Sequence, residues 1–273
     1  MQYRELRPSE PYRDSVECVW IVEGASSVRG PCETIVPDGC AELILHLGER
    51  FAGGFGGALV TQPRAILVGP LSRPFLVSRP RGPILTLGVR FRPGGLRAYL
   101  HAPVHELAEI ASDGRAVFGR SAASLAEALF EARDDAARLR LVEDFLGERR
   151  RASRLQPGLV GQVLASRGRI RSDALARAAG LSLRQLERLF REAVGLSPKR
   201  LSRIVRFQEV LRRTGDDAAD WVSVALDCGY FDQSHLVRDF SELAGAAPSR
   251  FAGREGFAGN FIAPARLEAF FGA

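Results

Sequence analysis

Between residues 168 and 251 the chain nearly repeats itself, and this constrains its fold more than any other feature. Gly168–Gly180 reads as a short helix opened by Ser172 and closed by Gly180. Two residues later Ser182-Leu-Arg-Gln185 forms an S-x-x-Q capping box, which starts a second helix. The pattern recurs with Trp221–Cys228 as first helix, Gly229 as turn and Asp232 as cap of a helix carrying Leu236 and Phe240. Ser182 matches Asp232 at an offset of 50, as do Leu186 with Leu236, Arg188 with Arg238, Phe190 with Phe240, Gly195 with Gly245, Pro198 with Pro248 and Arg200 with Arg250. The turn glycines, Gly180 and Gly229, stand 49 apart, so the second turn is one residue longer. Two copies of helix, short glycine turn and helix predict a pair of helix-turn-helix units. Leu201–Arg213 is long enough, as a helix, to hold them at a fixed separation.

Periodicity assigns the faces of the second helices. Leu186, Leu189, Phe190 and Val194 share one stripe, and Arg184, Glu187, Arg188 and Arg191 form the opposite one. In the second copy Leu236, Phe240 and Leu243 are expected in the core, leaving Gln233, Ser234, Val237, Arg238 and Ser241 for a partner. A polar stripe is ordinarily a solvated face. Repetition behind short, capped turns favours another use, because a helix fits the major groove of DNA, where arginine pairs with guanine and glutamine with adenine. Charge agrees by position: residues 157–255 hold 16 basic against 12 acidic residues, whereas residues 1–156 hold 21 against 19. The overall +6 is weaker evidence, since Lys199 is the only lysine and such an arginine skew often follows coding bias.

Residues 168–251 resemble the AraC/XylS family of bacterial transcription regulators. The resemblance is carried by Ala225-Leu-Asp-Cys-Gly-Tyr-Phe-Asp-Gln-Ser-His-Leu-Val-Arg-Asp-Phe240 and its continuation to Phe251, and upstream by Leu186-Glu-Arg-Leu-Phe-Arg-Glu-Ala-Val-Gly-Leu-Ser-Pro198. It implies a bipartite DNA-binding module, with base or backbone contacts at Ser182, Arg184, Glu187 and Arg188 in the first unit and at Gln233, Ser234, His235 and Arg238 in the second. Ser241 departs from the family, which commonly has a basic residue there, and Val237 brings an apolar side chain that suits a thymine methyl. Glu187 has two open readings: acceptor for cytosine N4, or helical partner of Arg184 or Arg191.

The N-terminal half is different. Runs at Val16–Val22, Thr34–Val36, Ala41–Leu47, Ala65–Val68, Phe75–Ser78 and Ile84–Phe91 are separated by glycine and proline turns, predicting an antiparallel β-barrel or sandwich. Beyond Pro93-Gly-Gly95 the pattern turns helical, with amphipathic helices at Ser121–Phe130 and Asp134–Leu146 that cover the sheet or bind a second subunit. The expected class is α+β with two domains: residues 1–152, β-rich with helices from about 96, a sensor and dimerisation candidate; residues 157–255, all-α; and a tail, 256–273. The segment from Val36 to Leu47 and Gly88-Val-Arg-Phe-Arg-Pro-Gly-Gly95 also resemble a sensor region of some members of the family, which implies a small-molecule effector there.

The rival class is a metal or alkyl-accepting site in this half. Its candidates, Cys18, Cys32 and Cys40, contain no C-x-x-C pair, and His101 and His105 are separated by Pro103. With no Walker, G-x-G-x-x-G or G-x-S-x-G motif, the chain has no candidate catalytic residues and calls for no cofactor. Lacking a bilayer-length apolar run or a signal peptide, it is expected in the cytoplasm. The expected partners are double-stranded DNA and RNA polymerase, with a small-molecule effector and a homodimer compatible, in a regulator that activates or represses.

Overall fold

The strands of the N-terminal half alternate, and both of their faces are used. The computed structural model describes residues 2–27, 32–152, 157–213 and 221–248. Ten strands are described: β1 (Gln2–Leu6), β2 (Val16–Ser26), β3 (Cys32–Ile35), β4 (Ala41–His46), β5 (Ala52–Gly54), β6 (Val60–Thr61), β7 (Ala65–Val68), β8 (Phe75–Ser78), β9 (Gly82–Phe91) and β10 (Ala111–Asp113). They form a six-stranded sheet, β1-β2-β9-β4-β7-β10, and a four-stranded sheet, β3-β8-β5-β6, with every pairing antiparallel. The barrel alternative is thereby set aside: the two sheets are separate and open, as in a sandwich.

Successive side chains on a strand point to opposite faces. On the larger sheet Val19, Ile21, Leu43, Leu45, Leu67, Leu87, Val89 and Phe91 enter one core. That core is closed by the 3-10 turns Gly95–Tyr99 and Val104–Glu106 and by the helices α1 (Gly114–Phe118), α2 (Ser121–Glu131) and α3 (Asp135–Gly147). Burying these side chains contributes roughly 1.5–3 kcal/mol each. The opposite rows, Cys18, Trp20, Val22, Glu42, Ile44, His46, Thr86, Gly88 and Arg90, face the smaller sheet. There Phe75 packs with Ile66 and Val68, while Phe51 packs with Val22 and Ile84.

The C-terminal half is helical: α4 (Pro157–Ala165), α5 (Ser172–Ala178), α6 (Leu183–Val194), α7 (Pro198–Arg213), α8 (Trp221–Asp227) and α9 (Gln233–Ala244). They share one core around α7, whose Leu201, Ile204, Phe207 and Val210 are fully buried. Val36 of the N-terminal half also belongs to this core, so the two halves are packed together. Arg250 and the tail 256–273 lie outside the described residues, as do residues 153–156 between the two halves.

Candidate nucleic-acid interface and a buried cavity

Both expected helix-turn-helix units are formed. In the first, α5 is followed by Gly180 at φ +66 and then by α6. The capping box is complete: the Ser182 hydroxyl accepts from Gln185 N, and the Gln185 side chain bonds the Ser182 backbone. The start of α5 corrects one expectation. Its N-cap is Arg171 rather than Ser172, with no side-chain cap; Ser172 is the first helical residue. In the second unit α8 is followed by Gly229, φ +78, and Asp232 caps α9 by accepting from His235 N at 2.7 Å. These turns need glycine, because a Cβ is strained at positive φ.

The helix faces follow their periodicity. Leu186, Phe190 and Val194 of α6 are buried, Leu189 is half-buried, and Ser182, Arg184, Glu187, Arg188 and Arg191 are exposed. Arg188 keeps 70% of its side chain in solvent, and its only described ion pair is with Glu192, at 4.0 Å. Among the described residues Glu187 forms no ion pair, so the helical-partner reading has no counterpart here. On α9, Leu236, Phe240 and Leu243 are buried while Gln233, Ser234 and Arg238 are exposed. Val237 and Ser241 are half-buried. His235 is folded onto its own turn: its ring meets Tyr230 edge-on at 5.1 Å, and its Nδ1 lies 3.5 Å from Phe231 N.

The polar side of α9 that turns inward sets its angle. Asp239 is buried and accepts two hydrogen bonds from Arg203 of α7, at 2.9 and 3.1 Å. Its Oδ2 lies 3.9 Å from both Arg206 Nη2 and His235 Nε2. Glu242 is held by Arg200 and Arg203. Thus α7, the expected strut, grips α9 by charge as well as by Phe207 against Phe240. Periodicity alone missed Asp239; the signal was an acid on the apolar stripe, four residues from Leu243 and three from Leu236.

The family comparison decides what this arrangement is. Residues 175–254 match a helix-turn-helix domain model, and residues 4–112 match a domain of unknown function. Residues 175–254 thus form a helix-turn-helix domain by family model as well as by geometry. That domain type supports DNA binding and transcription regulation for the C-terminal half. Among solved structures it is similar to ToxT from Vibrio cholerae, at 10% identity and a TM-score of 0.47, over 92% of this chain and 98% of that one. It is also similar to unsaturated fatty acid-bound wild-type ToxT from Vibrio cholerae strain SCE256, at 11% identity and a TM-score of 0.45, over 87% and 95%. No curated protein matches the chain.

The helix-turn-helix domain is attached to a half that holds a partly open cavity of about 110 Å³ between its two sheets. Most of the wall is apolar, from Trp20, Val22, Ile44, Phe51, Leu71 and Phe75. One end is charged. Arg90, 4% exposed, donates to Glu17 (3.1 Å), to Glu42 (2.7 Å) and to Asp38. Asp38 also accepts from Cys40 N at 2.8 Å. Burial pushes the Glu42 carboxyl above its ordinary range, against the pull of Arg90. The other end is polar and neutral: His46 Nε2 donates to Gln62 Oε1 at 2.8 Å, and Thr86 Oγ lies 3.3 Å from Nδ1. Burial pulls the His46 pKa down to about 4, so the ring is uncharged at neutral pH. Gly88 lies beneath the Trp20 indole, where a Cβ would come within 2.0 Å of the ring.

The cavity residues were legible only as polar exceptions in apolar strands: Glu42 and His46 in Ala41–His46, Thr86 and Arg90 in Ile84–Phe91. Strand register joins them, with Glu42 opposite Arg90 and His46 opposite Thr86. The cysteine alternative fares differently. Among the described residues no group of three or more histidine, cysteine, aspartate or glutamate side chains is arranged to hold a metal. Cys18 and Cys40 are buried and Cys32 is exposed. Burial raises the Cys18 and Cys40 thiols, which keeps them protonated and poorly nucleophilic. Among the described residues no helix is long and apolar enough to cross a membrane.

The cavity and the DNA-binding half meet at one loop. Asp38 and Cys40 line the cavity, and between them Gly39 (φ +84) packs so tightly that a Cβ would lie 2.7 Å from Leu201 of α7. The buried Gln208 of α7 donates to Pro37 O at 2.6 Å. Next to Leu71 of the cavity wall, Ser72 O accepts from Arg200. Gly195, at the end of α6, sits against Val104 and Pro70.

Proposed function

We propose that this chain is a sequence-specific transcription regulator whose DNA affinity is set by a small molecule held between the sheets of its N-terminal half. The observation that carries the DNA reading is the pair of capped, arginine-bearing helices, α6 and α9, exposed on their polar faces and gripped by a single buried helix, α7. Arg184, Glu187 and Arg188 read bases from α6, with Ser182 at its N-terminus; Gln233, Ser234 and Arg238 do so from α9. His235, held by Tyr230, orients the start of α9 as much as it meets the duplex. Exposed arginines of this half that no described carboxylate holds, such as Arg191, supply phosphate contacts, which position the module without reading sequence.

Effector control follows from the loop at Pro37–Gly39. A ligand that moves Asp38 moves a backbone bonded to Gln208, on the helix that spaces both reading helices. Such coupling needs the ligand to favour one domain arrangement over another. RNA polymerase is the machinery so regulated, and a second copy of the chain would bring two further helices to an adjacent half-site.

Selection from a random duplex pool tests the reading. A defined motif is expected. Arg188→Ala is expected to cost about 1–3 kcal/mol at one base pair and to relax the preference there. Uniform weakening across all sequences would assign Arg188 to a phosphate, and a pool that yields no motif would overturn sequence-specific reading.

A further inference from the structure

The charged end of the cavity says what kind of molecule it accepts. Three carboxylates, of Glu17, Asp38 and Glu42, surround one guanidinium, so Arg90 has no charge left to offer an anion. Of the residues that line the cavity, Asp38 and Glu42 are acidic, Arg90 is basic, and His46 is neutral and committed to Gln62. At formal charge the lining sets two carboxylates, Asp38 and Glu42, against the one guanidinium of Arg90, and the upward push of burial on Glu42 reflects the cost of that imbalance. The rest of the wall is aromatic and aliphatic, and Trp20, Phe51 and Phe75 present ring surface of the kind that stabilises an alkylammonium group as well as an apolar body. The volume sets the scale: an apolar protein cavity of about 150 Å³ holds benzene, and this one, about 110 Å³ and partly open, is of the size for one ring with a short polar arm.

We infer that the cavity takes a small amphiphilic cation, a primary amine on a compact apolar body, with its ammonium group at Asp38 and Glu42. This rests on the effector reading above and goes further by choosing the ligand's charge. A carboxylate ligand of the same shape would have to displace one of Arg90's partners or lie beside the others, and both arrangements cost free energy. The ammonium instead supplies the missing charge, and its arrival on Asp38 acts on the loop that touches α7.

Calorimetric titration of the full chain with benzylamine, benzyl alcohol and benzoate tests this, because the three share a ring and differ in charge. Benzylamine is expected to bind at least tenfold more tightly than benzoate and more tightly than the alcohol. Glu42→Gln is expected to remove the advantage of the amine over the alcohol, while leaving alcohol binding in place as evidence of an intact cavity. The wild-type ranking decides the charge inference even should that variant fail to fold. Benzoate binding as tightly as benzylamine, or none of the three binding, overturns it. The cavity itself is checked by Ile44→Phe, which fills it. If benzylamine binds this variant unchanged, it binds elsewhere and the cavity reading falls too; if benzoate is preferred and Ile44→Phe abolishes its binding, the cavity stands and only the charge assignment is lost.

Discussion

At the scale of single residues, buried charge does more here than exposed charge. Arg184, Glu187 and Arg188 are held by little besides their helix, which suits groups that must exchange water for a partner. Asp239 is the opposite case. It is buried on the inner side of α9 and bonded by Arg203. Removing one partner of a buried pair leaves the other uncompensated. Asp239→Ala is thus expected to lower the unfolding free energy by about 3 kcal/mol, measured by urea denaturation. Operator affinity should fall evenly over all sequences, because the orientation of α9 is lost and not a base contact. Loss confined to particular base pairs would instead mark Asp239 as acting on the reading surface itself. Sequence periodicity missed Asp239, and nothing local marks the arginines that reach it, since Arg203 lies 36 residues away.

At the scale of elements, capping and charge decide where helices stop and how they join. The C-terminal turn of α7 is tied by Glu209, which accepts from Arg212 (2.7 Å) and Arg213 (2.8 Å) of its own helix and from Arg167 (2.9 Å), beyond α4. The hydrogen bond from Arg212 outweighs burial, which pushes the other way, and holds the Glu209 carboxyl down to about 2. Because the folded pKa lies below the unfolded one, this stabilisation is fully present above the ordinary glutamate range and is lost as pH falls through about 2. Glu209→Gln is therefore expected to cost about 1.5–3 kcal/mol near pH 7, the worth of charge-assisted hydrogen bonds. The gap to wild type should close on acidification toward pH 2, followed by denaturation midpoints across pH. A gap independent of pH would show that Glu209 acts through packing alone. Element boundaries were largely legible for this reason: the caps at Ser182 and Asp232 and the turns at Gly180 and Gly229 are local chemistry. The short strands β5 and β6, within and just beyond the glycine run 53–57, were not, because only pairing with β8 makes Ala52–Gly54 a strand.

At the scale of the molecule, the two halves meet where the cavity ends. Gly39→Ala adds a Cβ that meets Leu201 at 2.7 Å and strains a backbone at φ +84, a conformation that costs roughly 1–3 kcal/mol for other residues. It is expected to loosen the junction, seen as a larger radius of gyration by small-angle scattering, and to make DNA affinity less responsive to a cavity ligand. Gln208→Ala, which removes the bond to Pro37, should do the same without backbone strain. Unchanged dimensions and an unchanged ligand response in both variants would mean that coupling runs elsewhere. The sequence by itself determined the tandem helix-turn-helix, its caps, its polar and apolar faces and the strand-rich character of the first half, because each depends on residues within a few turns of one another. Tertiary structure alone decided that the strands form two open sheets, that Glu42, Asp38 and Arg90 meet across a cavity, and that Pro37–Gly39 touches α7. The cavity and junction contacts join residues 48 to 171 positions apart, and only register and packing bring them together.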